Sequence, residues 1–344
     1  MKIAFCTSPL SLASKTRGVG AYTRELISAL RSSFPADEFV ETTGNPYSTK
    51  VDLVHYPFFD PYFLTLPWRF PVPTIVTIHD LIPLKYPTHF PAGKRGKLKW
   101  QVQKFLAHRT NAILTDSNSS ASDIHALMGI PQERVHVVPL ASATARTTLA
   151  LTPKLKKLYH LPDRYILYVG DVNWNKNLPG LIQAFARLDN ASTHLVLVGK
   201  VFADKPAIPE YFAVEQAIID SKKPKHIHLL GYVPSHHLVA IYREATLYCQ
   251  PSWDEGFGLP ILEAMKAGCP VLSSNQGSLP EVGGEAATYF DPHHDNLTSA
   301  LQSLLSSPAQ RTSLVERGLV QAKKFTWSKT ANLTRTIYVQ TLSS

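Results

Sequence analysis

Short apolar segments rich in β-branched residues alternate with segments of helical periodicity along most of the 344-residue chain. In the first half, the strand-like segments are residues 2–7, 51–56, 74–79, 112–116 and 135–139. Between them, apolar residues recur at helical spacing in residues 21–34, 97–110 and 119–128. This alternation is typical of a parallel sheet covered by helices on both faces.

The same pattern restarts in the second half of the chain. Residues 141–163 have little strand signal and contain two prolines, which predicts a linker. Strand-like segments follow at residues 165–170, 193–199, 226–231, 245–252 and 270–274. Helical patterns lie at residues 177–188, 235–243, 259–267 and 325–342, the last with Thr326 or Ser328 as a possible N-cap.

We therefore predict an α/β protein with two Rossmann-like domains, over residues 1–150 and 151–326. Ligands of such sheets bind at the carboxyl ends of the strands. Two domains of this kind that face each other would place the ligand in the cleft between them.

Charge and cysteine usage narrow the class of protein. The formal net charge of +9 favours anionic partners such as nucleotides, lipid phosphates or nucleic acid, although ordinary solubility explains it equally well. The three cysteines, Cys6, Cys249 and Cys269, lie in apolar runs without a CxxC pair, which favours reduced thiols in a cytosolic protein. No run of about 18 apolar residues and no secretory pattern is present, so we expect a soluble protein or one that lies on a membrane surface.

Three strand-to-helix turns carry residues suited to binding. In "RGVGAYTREL", Gly18 and Gly20 would let the backbone approach an anion at a helix N-terminus. In "TIHDLIPLKYP", His79 follows an apolar strand, and in "YVGDVNWNKNLPGLI", Lys176 precedes a helix and suits a phosphate. Taken singly, each has a plain alternative: a tight turn, a histidine bonded to a carbonyl, or a solvated lysine.

The stretch "PSWDEGFGLPILEAMKAG" (251–268) is the most informative one. It runs from the end of a strand through a glycine turn into a helix. Glu255 stands at the mouth of the turn, and Glu263 lies about one turn into an otherwise apolar helix. Carboxylates accept hydrogen bonds strongly, and this pair therefore suits a polyol such as a sugar or a ribose diol.

This stretch resembles the donor-binding signature of the retaining glycosyltransferases of family 4, which have the GT-B fold. "SLPEVGGEAATYFDP" (278–292) resembles the continuation of that signature. The other similar blocks occur in the order and spacing of the family, and they are "RGVGAYTRELISAL", "TIHDLIP", "LTDSNSSASDI", "KNLPGLIQAF" and "FTWSKTA". The resemblance covers nearly the whole chain.

The resemblance implies a role for each matching residue. Glu255 would contact the hydroxyls of the donor sugar, Glu263 the ribose hydroxyls, and Lys176 the leaving diphosphate. His79 would lie close to the transferred sugar. Donor binding would also involve the backbone amides of the glycine turn and the residue after it, Gly256, Phe257, Gly258 and Leu259. The helix of residues 327–344 would cross back to the first domain.

One departure from the family pattern concerns the cations near the diphosphate. The family usually has an arginine close to Lys176, whereas this chain has Asp171 and Asn175 at the two usual positions. A diphosphate leaving group gains charge in the transition state and needs cationic help. Arg17, beside the glycines of the acceptor-side loop, and Lys200 are the two candidates to compensate.

The function implied is retaining transfer of a hexose from a nucleoside-diphosphate sugar to an acceptor hydroxyl, in glycan or glycolipid synthesis. The resemblance favours front-face attack, with GDP-mannose as the preferred donor, no cofactor and no metal. No D-x-D sequence is present to hold a metal-bound diphosphate. The alternatives are a sugar-nucleotide epimerase of the same fold and a non-catalytic nucleotide-sugar-binding protein. Nucleic-acid binding would explain the charge but not the two glutamates.

The segment "AGKRGKLKWQVQKFLAHRT" (92–110) has two interpretations, one of which adds an anionic membrane as a second partner. It is basic, and Leu98, Trp100, Phe105 and Leu106 recur at near-helical spacing. Such a helix can lie on an anionic membrane, which would place a cytoplasmic enzyme at the inner face of the membrane beside a lipid-linked acceptor. The alternative, slightly favoured by the sequence, is a helix that packs its apolar side on the sheet and leaves its lysines in water.

Overall fold

The structure is a computed structural model that describes residues 1–7, 18–48, 50–142, 152–190 and 192–343. The chain divides into two compact units. Unit 1 comprises residues 1–143 and 325–344, and unit 2 comprises residues 144–324. The domain limits expected from the sequence, after residues 150 and 326, stay predictions.

Unit 1 is a six-stranded parallel sheet with helices packed on it. Its strands are β1 (Lys2–Cys6), β2 (Glu38–Thr42), β3 (Leu53–Tyr56), β4 (Thr74–Thr77), β5 (Ala112–Thr115) and β6 (Val135–Val137). Its helices are α1 (Gly18–Ser33), α2 (Ile82–Lys85), α3 (Gly93–His108), α4 (Asn118–Met128) and, from the end of the chain, α14 (Trp327–Ser343). The strand order is β2-β1-β3-β4-β5-β6.

Unit 2 is a second six-stranded parallel sheet. Its strands are β7 (Tyr165–Val169), β8 (His194–Val198), β9 (Ile227–Leu230), β10 (Leu247–Gln250), β11 (Val271–Ser274) and β12 (Ala287–Phe290). Its helices are α5 (Pro153–Leu158), α6 (Leu178–Ala186), α7 (Val201–Asp204), α8 (Pro209–Asp220), α9 (Ser235–Glu244), α10 (Leu259–Ala267), α11 (Leu279–Gly283), α12 (Leu297–Ser306) and α13 (Pro308–Ala322).

The strand order of unit 2 decides where its ligand site lies. From one edge the order is β9-β8-β7-β10-β11-β12, which is the doubly wound order of dinucleotide-binding sheets. The direction of winding reverses between β7 and β10. In sheets of this kind the ligand usually binds at the carboxyl ends of the two strands on either side of the reversal point.

The central strands explain why the α/β prediction is confirmed. All residues of β3, β4 and β5 are buried, as are those of β10 and β11. Strands covered on both faces need continuous apolar runs, and these runs are visible in the sequence. Of the four edge strands, β6 and β9 were predicted and β2 and β12 were not. Three of the five residues of β2 (EFVET) are polar, and β12 (ATYF) has only four residues, with a threonine at its second position.

Several helices of unit 2 were also missed. Helices α8, α12 and α13 lie in segments for which the sequence pattern indicated no element. The predicted linker, residues 141–163, contains α5, whose first turn is capped by the Thr152 side chain. Residues 143–151 of that linker lie outside the described residues.

The last helix of the chain packs inside unit 1, against α1. Thr326 caps it by accepting a hydrogen bond from the Lys329 amide at 3.2 Å. Further along, Arg335 contacts Asp37 at 2.7 Å. The Tyr338 hydroxyl reaches the buried His55 ring at 2.6 Å.

Candidate active site

The reversal point of the unit 2 sheet brings together Lys176 and Glu255, which are 79 positions apart in the sequence. Lys176 lies in the loop after β7, and Glu255 lies in the loop after β10. The Lys176 Nζ atom is 2.8 Å from one carboxylate oxygen of Glu255 and 2.7 Å from the other. Glu255 is buried, whereas Lys176 keeps part of its side chain exposed. The pair therefore places a cation and an anion at the reversal point of the sheet.

Two further side chains, which the sequence did not single out, hold the Glu255 carboxylate. Gln250 Nε2 donates to Oε1 of Glu255 at 2.8 Å, and the Ser252 hydroxyl donates to the same oxygen at 2.7 Å. Both donors are buried. With three donors around one oxygen, the carboxylate is fixed in position and its negative charge is stabilised.

The loop that carries Glu255 is braced by the loop that carries Lys176. The Asn175 amide donates to the Asp254 carbonyl at 3.0 Å, and the Trp253 amide donates to the Asn175 carbonyl at 2.7 Å. The Asn177 side chain donates to the Pro251 carbonyl at 3.0 Å. Asn175, one of the two positions where the family usually has arginine, is buried and acts as a structural link between the loops.

Two glycines make the close packing of this loop possible. Gly258 has φ of +92° and directly precedes α10, where a Cβ atom would come within 2.6 Å of Leu279. Gly277 has φ of +58°, and a Cβ there would lie 2.6 Å from the Glu255 carbonyl. Only glycine tolerates both conditions. Gly277 is a supporting residue of the site that the sequence motif did not indicate.

Glu263 lies on α10, and its carboxylate accepts a hydrogen bond from a buried tyrosine. The Tyr242 hydroxyl, from α9, donates to Glu263 Oε2 at 3.1 Å. Burial raises the pKa of Glu263 to about 7, although the Tyr242 hydrogen bond and the charge of Lys266 oppose this rise. Glu263 is therefore a carboxylate whose charge changes near neutral pH.

The other residues predicted to bind the donor differ in how exposed they are to solvent. Phe257 and Gly258 are buried, and Gly256 and Leu259 are half-buried. Lys200 is exposed and lies 3.8 Å from Asp204 on the same turn of helix. Its role as a replacement for the missing arginine stays a prediction.

The Asp171 carboxylate, at the other usual arginine position, accepts a hydrogen bond from the Val172 amide at 2.9 Å. The Tyr168 hydroxyl donates to the Asp171 carbonyl at 2.7 Å. These contacts hold the glycine turn after β7. They provide no cation for a diphosphate.

Unit 1 holds His79 in a buried dyad with Asp116. His79 Nδ1 is 2.7 Å from Asp116 Oδ2, and the ring meets Tyr22 edge-on at 4.7 Å between centroids. Burial opposes protonation of His79, but the Asp116 carboxylate, together with the Asp80 charge and a hydrogen bond to the Pro57 backbone, outweighs it and raises the pKa of His79 above its usual value. Asp116 fixes the orientation of the ring, and it was not recognised from the sequence because it lies 37 positions away.

A separate chain of hydrogen bonds runs from Tyr22, the ring that packs on His79, into the core of unit 1. The Tyr22 hydroxyl lies 3.1 Å from Thr77 Oγ1, and His55 Nε2 lies 2.8 Å from the same oxygen. The other ring nitrogen of His55 meets Tyr338 on the last helix. The surroundings of His79 thus depend on residues from both ends of the chain.

The glycines predicted to shape the acceptor-side loop lie in a helix. Gly18 and Gly20 belong to the first turn of α1, where Gly18 is exposed and Gly20 is buried. Arg17 lies outside the described residues. The roles of all three stay predictions.

We expect the substitution Asp116→Asn to lower the pKa of His79, because burial would then be opposed only by the Asp80 charge and the hydrogen bond to the Pro57 backbone. The pH titration of the His79 ring signals by NMR measures this. Asp123→Asn, which removes a half-exposed ion pair with Lys85, is the matched control and should leave the titration unchanged. A pKa of His79 that is the same in Asp116→Asn as in the unaltered protein would contradict the dyad.

Within the residues that the structure describes, no group of three or more His, Cys, Asp or Glu side chains could hold a metal ion. The three cysteines are buried and form no disulfide bond. None of the helices in the described ranges is both long and apolar enough to cross a membrane.

Solved structures define the class of fold. Sucrose-phosphate synthase from Thermosynechococcus elongatus aligns with a TM-score of 0.80 at 19% identity, over 100% of this chain and 99% of that one. HepE of Anabaena, crystallised with UDP and glucose, aligns with a TM-score of 0.75 at 16% identity, over 99% and 100% of the two chains. WaaG, a glycosyltransferase of lipopolysaccharide biosynthesis, aligns with a TM-score of 0.68 at 15% identity, over 97% and 99%. The chain therefore has the GT-B fold, as predicted.

Sequence comparison gives the family. The model "Glycosyltransferase Family 4" matches residues 46–146, and "Glycosyl transferases group 1" matches residues 154–320. O-antigen chain mannosyltransferase B of Escherichia coli is 33% identical over 273 residues, which cover 77% of this chain and 69% of that protein. The chain belongs to the family 4 glycosyltransferases and is a glycosyltransferase of glycan synthesis.

Two other relatives are also mannosyltransferases by name. The serotype-specific mannosyltransferase WbdA of Escherichia coli is 30% identical over 281 residues, or 78% of this chain, but the match spans only 33% of WbdA. The MMP alpha-(1->4)-mannosyltransferase of Mycolicibacterium hassiacum is 32% identical over 249 residues, or 71% of this chain and 57% of that protein.

Proposed function

We propose that this protein transfers a hexose, with mannose favoured, from a nucleoside-diphosphate sugar to an acceptor hydroxyl, with retention of the anomeric configuration. The observation that carries the proposal is the Lys176–Glu255 pair at the reversal point of the unit 2 sheet, with Glu263 on the helix that follows. The names of the mannosyltransferase relatives support the choice of sugar. GDP-mannose is the donor that we favour.

In this proposal each of the three charged groups contacts a different part of the donor. Glu263, when ionised, accepts hydrogen bonds from ribose hydroxyls. Lys176 neutralises the diphosphate as its charge grows during departure. The diphosphate then competes with Glu255 for the ammonium group, and Glu255 becomes available to accept from the sugar hydroxyls. In this proposal Lys176 provides the charge that a metal ion would otherwise supply.

The surroundings of Glu255 favour a positioning role over a nucleophilic one. A double displacement would need a carboxylate oxygen free to attack the sugar. In this chain Oε1 accepts from Gln250 and Ser252, and neither donor is drawn away when the diphosphate competes for Lys176. Donors around a carboxylate disperse its charge and weaken it as a nucleophile. This supports front-face attack, in which the departing phosphate takes the proton of the acceptor.

The acceptor is a glycan or a lipid-linked saccharide in this proposal, and the reaction takes place in the cytoplasm. The Glycosyl transferases group 1 match over unit 2 favours transfer over epimerisation. A non-catalytic nucleotide-sugar-binding protein is the second alternative, and the missing arginine beside Lys176 is the observation that favours it.

Ligand-dependent melting tests the proposal. A ligand that binds only the folded state raises its melting temperature. We expect GDP and GDP-mannose to raise it more than UDP or ADP do, and GDP to be released from GDP-mannose once an α-mannoside acceptor is added. GDP release without any dependence on acceptor would indicate hydrolysis or epimerisation. Stabilisation without release would indicate a binding protein.

A further inference from the structure

One side of unit 1 exposes large apolar side chains among basic ones. Five apolar residues, each more than half exposed, lie on α3 and on the loop after β3: Phe63, Leu64, Trp68, Leu98 and Phe105. This basic apolar face departs from the packing that the sequence slightly favoured for residues 92–110. Leu106 is buried as that alternative requires, but Leu98 and Phe105, two turns apart on the helix, point into solvent.

The loop that carries the aromatic residues is held firmly on α3. The buried Gln103 side chain donates to the Asp60 carbonyl at 3.0 Å and to Thr65 Oγ1 at 2.6 Å, and it accepts from the Leu66 amide at 3.3 Å. The Tyr62 hydroxyl donates to the Pro83 carbonyl at 3.0 Å. The exposed rings therefore stand on an ordered backbone.

Cations accompany the exposed rings. The Lys99 ammonium lies 5.1 Å from the Phe63 ring centre, and the Arg109 guanidinium lies 5.7 Å from the Phe105 ring centre. Arg109 also donates to the Trp68 carbonyl at 3.1 Å, which joins the end of α3 to the loop. The apolar residues of the loop and of the helix thus form one continuous face.

The face has an unbalanced positive charge. Residues 81–115 contain no Asp or Glu, and their Lys and Arg residues are Lys85, Lys94, Arg95, Lys97, Lys99, Lys104 and Arg109, of which Lys85 pairs with Asp123. Lys94, Arg95 and Lys97 are exposed, and none of the three forms an ion pair with a described residue. A partner of this face is therefore anionic.

A cavity of about 480 Å³ opens beside the same residues. Its walls include Tyr62, Leu84 and Trp100, and Lys94 and Lys97 stand among its lining residues. Apolar walls beside two ammonium groups suit an anionic headgroup that continues into a hydrocarbon chain.

A second exposed apolar pair in unit 2 shows what distinguishes this face. Phe212 and Ile219 of α8 are also more than half exposed and seven positions apart. Their neighbours on the helix include the acidic residues Glu210, Glu215 and Asp220. Apolar exposure is thus shared by both helices, whereas positive charge belongs to α3 alone.

We propose that the basic apolar face of unit 1 docks on an anionic lipid bilayer. The aromatic and aliphatic side chains enter the interfacial region, where apolar surface leaves water and rings tolerate a polar boundary. The lysines and arginines attract anionic headgroups, each by roughly a factor of five in binding when close to the surface. Neither contribution involves the nucleotide sugar, and the docking is therefore independent of the proposed transfer reaction.

Vesicle co-sedimentation of the full chain tests the docking. We expect binding to vesicles of phosphatidylglycerol and phosphatidylcholine, much weaker binding to phosphatidylcholine alone, and loss of binding at high salt. The triple variant Lys94→Gln, Arg95→Gln, Lys97→Gln should bind about a hundredfold more weakly. The double variant Leu98→Gln, Phe105→Gln should bind at least about tenfold more weakly, because its apolar surface no longer enters the bilayer.

Matched variants serve as controls. Lys222→Gln, Lys225→Gln, Lys329→Gln removes three positive charges elsewhere, and Phe212→Gln, Ile219→Gln removes the apolar pair of α8. Both should bind like the unaltered protein, and thermal unfolding should confirm that every variant is folded. The proposal is overturned if the unaltered protein does not prefer anionic vesicles, or if the control variants lose binding equally. It is also overturned if the face instead holds a second copy of the chain, seen as a dimer by sedimentation that Leu98→Gln, Phe105→Gln dissociates.

Discussion

Replacing Lys176 with Met should lower kcat by about a hundredfold to a thousandfold, with a smaller effect on the KM of the nucleotide sugar. This is the usual cost of removing one group that stabilises charge in the transition state. The ammonium group lies 2.7 Å from Glu255 in the free protein and is the cation closest to that carboxylate among the described residues. With asparagine at position 175 and aspartate at position 171, we expect little compensation from neighbouring side chains. Steady-state kinetics with GDP-mannose and an α-mannoside acceptor provide the measurement.

A loss of stability has to be separated from a loss of catalysis in this variant. Without Lys176 the Glu255 carboxylate keeps only its neutral donors, Gln250 and Ser252, and we expect Lys176→Met to cost about 1–3 kcal/mol of unfolding free energy. The double variant Lys176→Met, Glu255→Gln removes the unpaired charge and should recover part of that stability in urea unfolding. It should not recover activity. Lys225→Met, an exposed lysine of the same unit, is the control for loss of a positive charge, and recovery of kcat in the double variant would contradict the assigned role.

The affinity for the nucleotide sugar should fall as the pH decreases below about 7, the pKa to which burial raises Glu263. Only the ionised carboxylate can accept from both ribose hydroxyls, and donor binding therefore competes with protonation. We expect the donor KM to rise by up to about tenfold for each pH unit below that value. In Glu263→Gln this pH dependence should disappear, and the donor should bind about 10- to 100-fold more weakly at pH 8, as expected for the loss of a hydrogen bond to a charged group.

Tyr242 provides an independent test of the same carboxylate. Its hydroxyl donates to Glu263 and lowers the pKa of that group, so Tyr242→Phe should move the inflection of the KM profile to higher pH. Tyr211→Phe, another buried tyrosine of unit 2, is the control and should leave the profile in place. An inflection at the same pH in the unaltered protein, Tyr242→Phe and Tyr211→Phe would show that Glu263 does not control donor binding.

The raised pKa of Glu263 also predicts a stability effect. The folded protein binds this proton more tightly than the unfolded chain does, because the folded pKa of about 7 exceeds the ordinary value of 4.5. The resulting stabilisation is complete below pH 4.5 and is lost as the pH rises through 7. Urea unfolding should therefore show Glu263→Gln to be more stable, relative to the unaltered protein, at pH 8 than at pH 5.

The elements that the sequence predicted are those whose residues are buried on both faces. Strands such as β4 and β10 are wholly buried and have apolar or β-branched residues at most positions, and α10 follows a glycine turn that limits where it can begin. The edge strand β2 was missed because its exposed polar positions break the apolar run. Helices such as α13 were missed because a partly exposed helix gives a weaker periodic signal.

Within the candidate site, the sequence indicated the charged residues but not the groups that hold them. The roles of Lys176 and Glu255 were assigned from the resemblance to the family 4 glycosyltransferases, since Lys176 taken alone could equally be a solvated lysine. Their direct contact and the support from Ser252 could not be inferred, because hydrogen bonds between loops depend on which strands are neighbours. The pairing of His79 with Asp116 could not be inferred from the sequence for the same reason.

By itself, the sequence determined that this chain forms two parallel α/β sheets and carries the glutamates and lysine of a family 4 glycosyltransferase. Apolar periodicity and glycine turns are local properties, and these features could be predicted from short stretches. The tertiary structure alone decided that β7 and β10 lie side by side, that a tyrosine from α9 reaches Glu263, and that Leu98 and Phe105 face solvent. Each of these depends on contacts between residues far apart in the chain, which no local pattern records.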